Sequence, residues 1–121
     1  MSIEIPLLIA ALIAIESGGN DLAVGDGGKA LGCLQIHELV ILDVNRIYGL
    51  QFEHAHAMDR RTAKLICELY LRHYGAKLVN PSASDLARIW NGGPFGYNKD
   101  STAAYGDRVQ ALYDAARLAR K

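Results

Sequence analysis

The sequence predicts a mainly α-helical fold with about five helices. Apolar residues recur at the helical spacing of three and four, and Gly or Pro breaks separate these periodic segments. The chain has 121 residues, of which 50% are hydrophobic and 21% charged, which is the composition of a globular protein. This length predicts a single domain over residues 1–121.

The first predicted helix runs from about Ile5 to Ser17 and ends at Gly18-Gly19, because glycine commonly stops a helix. Its apolar run is too short for a membrane span, which needs about 20 apolar residues. A signal peptide would begin with a basic region, whereas the residues before this apolar run include the acidic Glu4 and no basic residue. We therefore expect a core helix, no membrane insertion and no secretion signal.

The segment Gly25–Gly28 predicts turns or a short hairpin after the first helix. A second helix is expected from near Gln35 to Gly49. The inner stripe of this helix would consist of Ile36, Val40, Val44 and Ile47.

Two further helices follow, each with a side chain suited to cap its first turn. Asp59 predicts the start of the third and longest helix, which would end at Gly75. The segment Ser82–Asp85 resembles a capping box and predicts a short fourth helix through Trp90. The segment Asn91–Pro94 is expected to end that helix, because Gly and Pro together cannot continue it. The inner face of the third helix would consist of Ala63, Ile66, Tyr70 and Tyr74.

The last predicted helix begins at a cap formed by Asp100 or Ser101. Its inner face would carry Tyr105, Val109, Leu112 and Tyr113. Helices of this kind bury their apolar faces on one another, and the Gly-rich breaks between them are natural linings for a cleft.

Charge, cysteine and histidine content argue against several classes of function. Thirteen basic and thirteen acidic residues cancel, so the charge does not indicate a nucleic acid or an anionic membrane as partner. Cys33 and Cys67 have no metal-ligand spacing and are predicted to be buried thiols. His54 and His56 have no third ligand nearby, and His37 is a lone residue of the second predicted helix. We expect no metal and no cofactor.

Two carboxylates are the candidate catalytic groups. Glu16 follows an apolar helix, where low dielectric disfavours the charged form, so we expect a raised pKa and the role of general acid. Asp26 lies among glycines near water and would stay ionised, as the base of a glycosidase pair does. Two alternatives stay open, namely that Asp26 is only a turn residue and that Glu16 is a surface carboxylate at a helix end.

Aromatic residues surround the break after the fourth helix. Trp90, Tyr97 and Tyr105 flank Asn91–Pro94. Aromatic rings stack on sugars and amide side chains bind their acetamido and hydroxyl groups, so these residues are candidate substrate contacts. For Trp90, packing in the core is an equal alternative.

Four blocks of the sequence resemble, in order, those of the soluble lytic transglycosylase and goose-type lysozyme superfamily. They are Glu16–Asn20, Gly32–Ile36, Ile89–Pro94, and Thr102–Tyr105 with Arg108-Val109. The resemblance implies a single-domain lysozyme-like helical fold of the SLT type that acts on bacterial peptidoglycan.

The resemblance also implies roles for individual residues. Glu16 matches the catalytic acid of the family, and Ser17 and Gln35 match positions that line the cleft and contact substrate. Asn91 matches the Asn of the Tyr-Asn-Ala-Gly block, and Tyr105 matches a late Tyr near the catalytic carboxyl.

Some positions depart from the family pattern. Cys33 and Leu34 replace the usual Leu and Met, and Trp90 replaces the usual Tyr, so a hydroxyl is lost there. Gly25-Asp26 resembles a Gly-Asp segment of goose-type lysozymes, which implies that this aspartate positions or activates the attacking water. The second acidic position of those enzymes falls at His37, which is not acidic.

We therefore expect a monomeric muramidase that hydrolyses the β-1,4 bond between N-acetylmuramic acid and N-acetylglucosamine. Glu16 would be the acid and Asp26 the base, with inversion and carboxyl groups about 6.5–9.5 Å apart. Its partner would be bacterial peptidoglycan, reached as a phage lysin released from the cytoplasm or as a secreted protein in mature form. The alternatives are a lytic transglycosylase that uses Glu16 alone, and a non-catalytic wall-binding or virion structural module.

Overall fold

The computed structural model describes residues 2–120, and this part of the chain is mainly helical, as predicted. Its five α-helices are α1 (Ile5–Ser17), α2 (Glu38–Tyr48), α3 (Arg60–Gly75), α4 (Ala83–Gly92) and α5 (Ala103–Ala119). The strands β1 (Val24–Gly25) and β2 (Ala30–Leu31) pair antiparallel, which confirms the hairpin expected after the first helix. No helix within residues 2–120 has both the length and the apolar character needed to cross a membrane.

The described residues form two compact units. The first, called the hairpin unit, is Glu16–Tyr70 and contains the hairpin, α2 and most of α3. The second, called the α4–α5 unit, contains the described residues up to Ile15 and from Leu71 onward. The expectation of a single domain stays a prediction.

The core of the hairpin unit is formed by apolar residues of the hairpin and of the two helices. Its fully or nearly fully buried side chains are Ala30, Cys33, Leu34, Ile36, Ile41, Val44, Ala57, Ala63, Ile66, Cys67 and Tyr70. Each large aliphatic side chain buried in this way contributes about 1.5–3 kcal/mol. Both cysteines are free, so the prediction of two buried thiols is confirmed.

The second helix begins three residues later than predicted, at Glu38. Ile36 pairs with Leu31 in an antiparallel bridge, with N–O distances of 3.1 and 2.9 Å. Gln35 has a φ of 50°, which an α-helix does not accommodate. Ile36 is therefore buried as part of the hairpin rather than as part of the helix stripe. The predicted end is confirmed, since Gly49 caps α2 with a φ of 67°.

The predicted caps of α3 and α4 are both confirmed. Asp59 Oδ2 accepts hydrogen bonds from the backbone N–H (3.0 Å) and the hydroxyl (2.7 Å) of Thr62. These bonds hold the pKa of Asp59 below its usual value. At the start of α4, Ser82 and Asp85 each accept the other's backbone N–H at 3.0 Å, which is a complete capping box.

The region between α4 and α5 differs from the prediction in two details. α4 includes Asn91 and Gly92 and ends at Gly93, whose φ is 91°. Asp100 and Ser101 do not cap α5; they form a 3-10 turn, and no side chain of the described residues caps that helix. The turn is held instead by Thr102, whose buried hydroxyl donates to the backbone oxygen of Gly96 at 2.6 Å.

The α4–α5 unit buries the inner faces of its helices around this turn. α4 packs against α5, where Gly106 lies so close to Ser84 that a Cβ would overlap the serine hydroxyl. Val109 and Tyr113 of α5 are buried as predicted, whereas Leu112 is 40% exposed. The Tyr113 hydroxyl accepts the backbone N–H of Glu4 at 2.8 Å.

Candidate functional site

Glu16 lies on the last turn of α1 and is half-buried. Its charge is one of the causes that raise the pKa of Cys67 on α3, after burial of the thiol itself, so the carboxyl lies close to this side chain. The charge of Cys33 acts on Cys67 in the same way. The predicted acid is therefore half-buried and within electrostatic range of a buried thiol, rather than fully in bulk water.

Ser17 ends α1 and fixes the turn that follows Glu16. Its hydroxyl donates to the backbone oxygen of Cys33 at 2.8 Å and accepts the N–H groups of Gly19 and Asn20, each at 3.1 Å. The chain then turns through Gly18 and Gly19, with φ values of 65° and 95° that favour glycine. The Ser17 hydroxyl is thus occupied by the backbone, and its predicted contact with substrate stays a prediction.

Arg60 holds the same turn from the start of α3. Its Nε donates to Asp21 Oδ1 at 2.7 Å, and its terminal nitrogen donates to the backbone oxygen of Gly19 at 2.6 Å. This role of Arg60 was not predicted from the sequence. A basic residue next to the Asp59 cap gives no local sign that its partners lie some forty positions earlier in the chain.

Asp26 starts the 3-10 turn of the hairpin, and its φ of 50° is one that aspartate adopts more readily than most residues. Its Oδ2 lies 3.4 Å from Nε2 of His37, with the two side chains 64% and 47% exposed. The expectation that His37 is a lone helical residue is wrong: His37 precedes α2 in an extended conformation and has a carboxylate partner.

Gln35 closes the base of the hairpin. Its amide nitrogen donates to the backbone oxygens of Gly32 (3.0 Å) and Ala23 (3.3 Å). Its Oε1 lies so close to Gly25 that a Cβ there would overlap it. Within residues 2–120 this oxygen accepts no hydrogen bond, so it is available to a ligand. The predicted contact of Gln35 with substrate stays a prediction.

A groove of ≈ 420 Å³ lies on the hairpin unit beside the Asp26–His37 pair. It is lined by Gly28, Lys29, His37, Glu38, Leu39 and His54. The residues come from the hairpin turn, the start of α2 and the 3-10 helix His54–Met58. No single stretch of the sequence indicates this groove, because three separate segments form it.

The two neighbouring histidines have structural partners. His54 Nε2 lies 2.7 Å from the backbone oxygen of Ile36, and His56 Nδ1 accepts the backbone N–H of Glu53 at 2.9 Å. Both residues lie in the 3-10 helix His54–Met58. Within residues 2–120, no group of three or more His, Cys, Asp or Glu side chains is arranged to hold a metal ion.

The other four predicted site residues belong to the α4–α5 unit. Trp90 is 9% exposed, which favours the core-packing alternative for its ring. Asn91 is exposed on the last turn of α4, and Tyr97 is half-buried in the 3-10 turn Gly96–Asn98. Tyr105 is half-buried on the first turn of α5. Their contacts with sugar stay predictions.

Comparison with known proteins gives no relative of this chain. No family model matches it, and no curated protein or solved structure matches it. The resemblance to the lytic transglycosylase and goose-type lysozyme superfamily therefore depends on the motif residues alone and stays a prediction.

Proposed function

We propose that this protein is a muramidase that hydrolyses the β-1,4 bond between N-acetylmuramic acid and N-acetylglucosamine in bacterial peptidoglycan. The observation that carries the proposal is the position of Glu16, half-buried at the end of α1 and beside the buried Cys67 thiol. Burial, even partial, disfavours the charged form of a carboxyl group, and a general acid must hold its proton until the bond breaks.

In this mechanism the two carboxylates have different tasks because their surroundings differ. Glu16 protonates the glycosidic oxygen as the bond breaks, which makes the sugar a better leaving group. Asp26 is 64% exposed and accepts a proton from the attacking water, while His37 at 3.4 Å orients its carboxylate. Water that attacks from the opposite face gives an inverted product with a reducing muramic acid end.

Three residues of the α4–α5 unit stay candidate contacts to the sugar rings of a glycan. The exposed amide of Asn91 suits the acetamido and hydroxyl groups of a glycan. Tyr97 and Tyr105 keep part of their side chains accessible, which is what stacking on a sugar ring requires.

The second candidate is a lytic transglycosylase, which the local geometry of Asp26 favours. Asp26 lies in a tight turn at a φ of 50°, and turns of this kind select aspartate for backbone reasons alone. Glu16 would then act without a second carboxylate. The acetamido and hydroxyl groups of the substrate would close a 1,6-anhydro ring.

Digestion of purified peptidoglycan followed by mass spectrometry of the products tests both candidates. Reducing muramic acid ends are expected from the wild type, whereas 1,6-anhydro ends, lighter by one water, would establish the second candidate. Glu16→Gln should abolish product formation, and Asp107→Asn, which changes an exposed carboxylate of α5, should not. Wall binding without products from the wild type would indicate a non-catalytic module, and full activity of Glu16→Gln would refute its role as the acid.

A further inference from the structure

We propose that the groove on the hairpin unit binds the peptide stem that peptidoglycan carries on its muramic acid residues. The inference rests on the proposed function, because it assigns a subsite for the same substrate. Three side chains carry it, namely Lys29, Glu38 and Leu39.

The groove has the size of a ligand site. Its volume of ≈ 420 Å³ falls within the range of about 300–1,000 Å³ typical of small-molecule sites. Two of its walls are held in place, since His54 contacts the backbone oxygen of Ile36 at 2.7 Å and His37 contacts Asp26 at 3.4 Å. A ligand would therefore meet two histidine side chains that already have partners within the fold.

The charges in the groove match a peptide better than a sugar. Lys29 and Glu38 line the same groove, and within residues 2–120 neither side chain forms an ion pair or a hydrogen bond. A peptide stem offers carboxylates for the ammonium group of Lys29, and its diamino acid offers a cation for Glu38. Charge-assisted hydrogen bonds of this kind are stronger than those to the neutral hydroxyls of a sugar.

An apolar side chain lines the same groove. Leu39 follows Glu38 on the first turn of α2, and 78% of it is exposed to solvent. The alanine methyl groups of a peptide stem would remove part of this apolar surface from water. A groove with a cation, an anion and one aliphatic side chain is suited to a short zwitterionic peptide.

The position of the groove agrees with the covalent structure of peptidoglycan. His37 lines the groove and also contacts Asp26, the candidate base. The peptide stem is attached to the lactyl group of muramic acid, so a stem bound in the groove would bring that sugar toward Asp26. Binding of the stem would then help to position the glycosidic bond that is cleaved.

Two forms of one substrate test this proposal: glycan strands with their stems, and the same strands after an amidase has removed them. The wild type should show kcat/KM about tenfold higher on the strands with stems. Lys29→Gln and Glu38→Gln should each lose most of this preference and leave kcat/KM on bare strands unchanged. The controls Lys64→Gln and Asp107→Asn alter exposed charges outside the groove and should keep the preference.

Equal rates of the wild type on both substrates would overturn the proposal, as would variants that slow both substrates alike. If the wild type cleaves neither, the proposed function fails, and NMR titration with the free tetrapeptide stem decides the question of the groove separately. Shifts of the Lys29 and Glu38 amide signals that disappear in the double variant Lys29→Gln/Glu38→Gln would support binding. Unchanged spectra would refute it.

Discussion

The imidazole Nε2 of His37 lies 3.4 Å from the carboxylate Oδ2 of Asp26. The hairpin brings these side chains together, since the Leu31–Ile36 bridge turns the chain back just before His37. Both side chains are about half exposed or more, at 47% and 64%, and exposed ion pairs contribute about 0–1 kcal/mol. The contact therefore orients the two groups more than it stabilises the fold.

Replacement of this pair should change the reaction more than the stability. We expect Asp26→Asn to slow hydrolysis about 100-fold, since general bases contribute about 10²–10⁴-fold, and His37→Gln to slow it less. The midpoint of thermal unfolding should stay nearly constant in both variants. Release of reducing ends and thermal unfolding, recorded on the same preparations, check both expectations.

The Asp26→Asn variant includes its own structural control. Asparagine adopts the positive φ of 50° at this position as readily as aspartate does, so the turn is preserved and only the charge is lost. Full hydrolytic activity of this variant would identify Asp26 as a turn residue. Retained cleavage with a change from reducing to anhydro ends would show that Glu16 alone is sufficient for bond cleavage.

The sequence predicted those parts of the fold and the site that depend on local patterns. The bounds of α1 and the Ser82 capping box follow from residues within a few positions of one another. The predicted start of α2 was wrong because Gln35 has a positive φ. That conformation depends on the hairpin, to which the Gln35 side chain is hydrogen-bonded. The partner of His37 was missed for the same reason, since tertiary pairing and not helical spacing brings Asp26 to it.

Ser17→Ala should destabilise the turn after Glu16. The hydroxyl makes one hydrogen bond to Cys33 and receives two from the following backbone, so its loss should lower the free energy of unfolding by about 1–2 kcal/mol. Activity should fall as well, because the neighbouring carboxyl of Glu16 loses its fixed position. Urea unfolding and turbidity clearing of cell walls measure the two effects.

The control for this prediction is Ser101→Ala, which removes an exposed hydroxyl from the 3-10 turn before α5. It should change neither stability nor activity. If Ser17→Ala keeps full stability and loses only activity, the hydroxyl contacts the substrate, as the family resemblance implies.

Gly32→Ala should be the most damaging glycine substitution in the hairpin unit. The φ of Gly32 is 82°, and a Cβ at this position would overlap the backbone oxygen of Ala57. Because neither backbone can yield easily, we expect a loss of about 3 kcal/mol or more. Gly28→Ala is the matched control: its φ is 94°, but a Cβ there meets no atom within 4 Å.

Only backbone strain then acts in Gly28→Ala, and we expect a loss of about 1–2 kcal/mol. Chemical unfolding of both variants gives the difference directly. Equal losses would contradict the close approach of Gly32 to the 3-10 helix His54–Met58.

Alkaline pH should destabilise the protein through Cys67. Burial, and then the negative charges of Glu16, Cys33 and Glu68, raise the pKa of this thiol well above its ordinary value of 9.0. The folded state therefore keeps the proton longer than the unfolded chain does. The thiol's contribution to stability is fully present below pH 9.0 and is lost as the pH rises through the folded-state pKa.

Urea unfolding from pH 7 to 10.5 measures this effect, with the slope of stability against pH compared between wild type and Cys67→Ala. The slope above pH 9 should be shallower in the variant, because the other groups titrate in both proteins and cancel in the comparison. Cys33→Ala should reduce the slope less than Cys67→Ala does, since burial raises the pKa of Cys33 to a smaller extent and its charge is only the third of the causes that act on Cys67.

Glu16→Gln should also reduce this slope, because it removes one of the charges that raise the pKa of Cys67. The measurement thus tests the contact between the proposed acid and α3 without any substrate. An alkaline slope that is identical in wild type and Glu16→Gln would contradict this expectation and would leave burial of the thiol as the cause of its raised pKa.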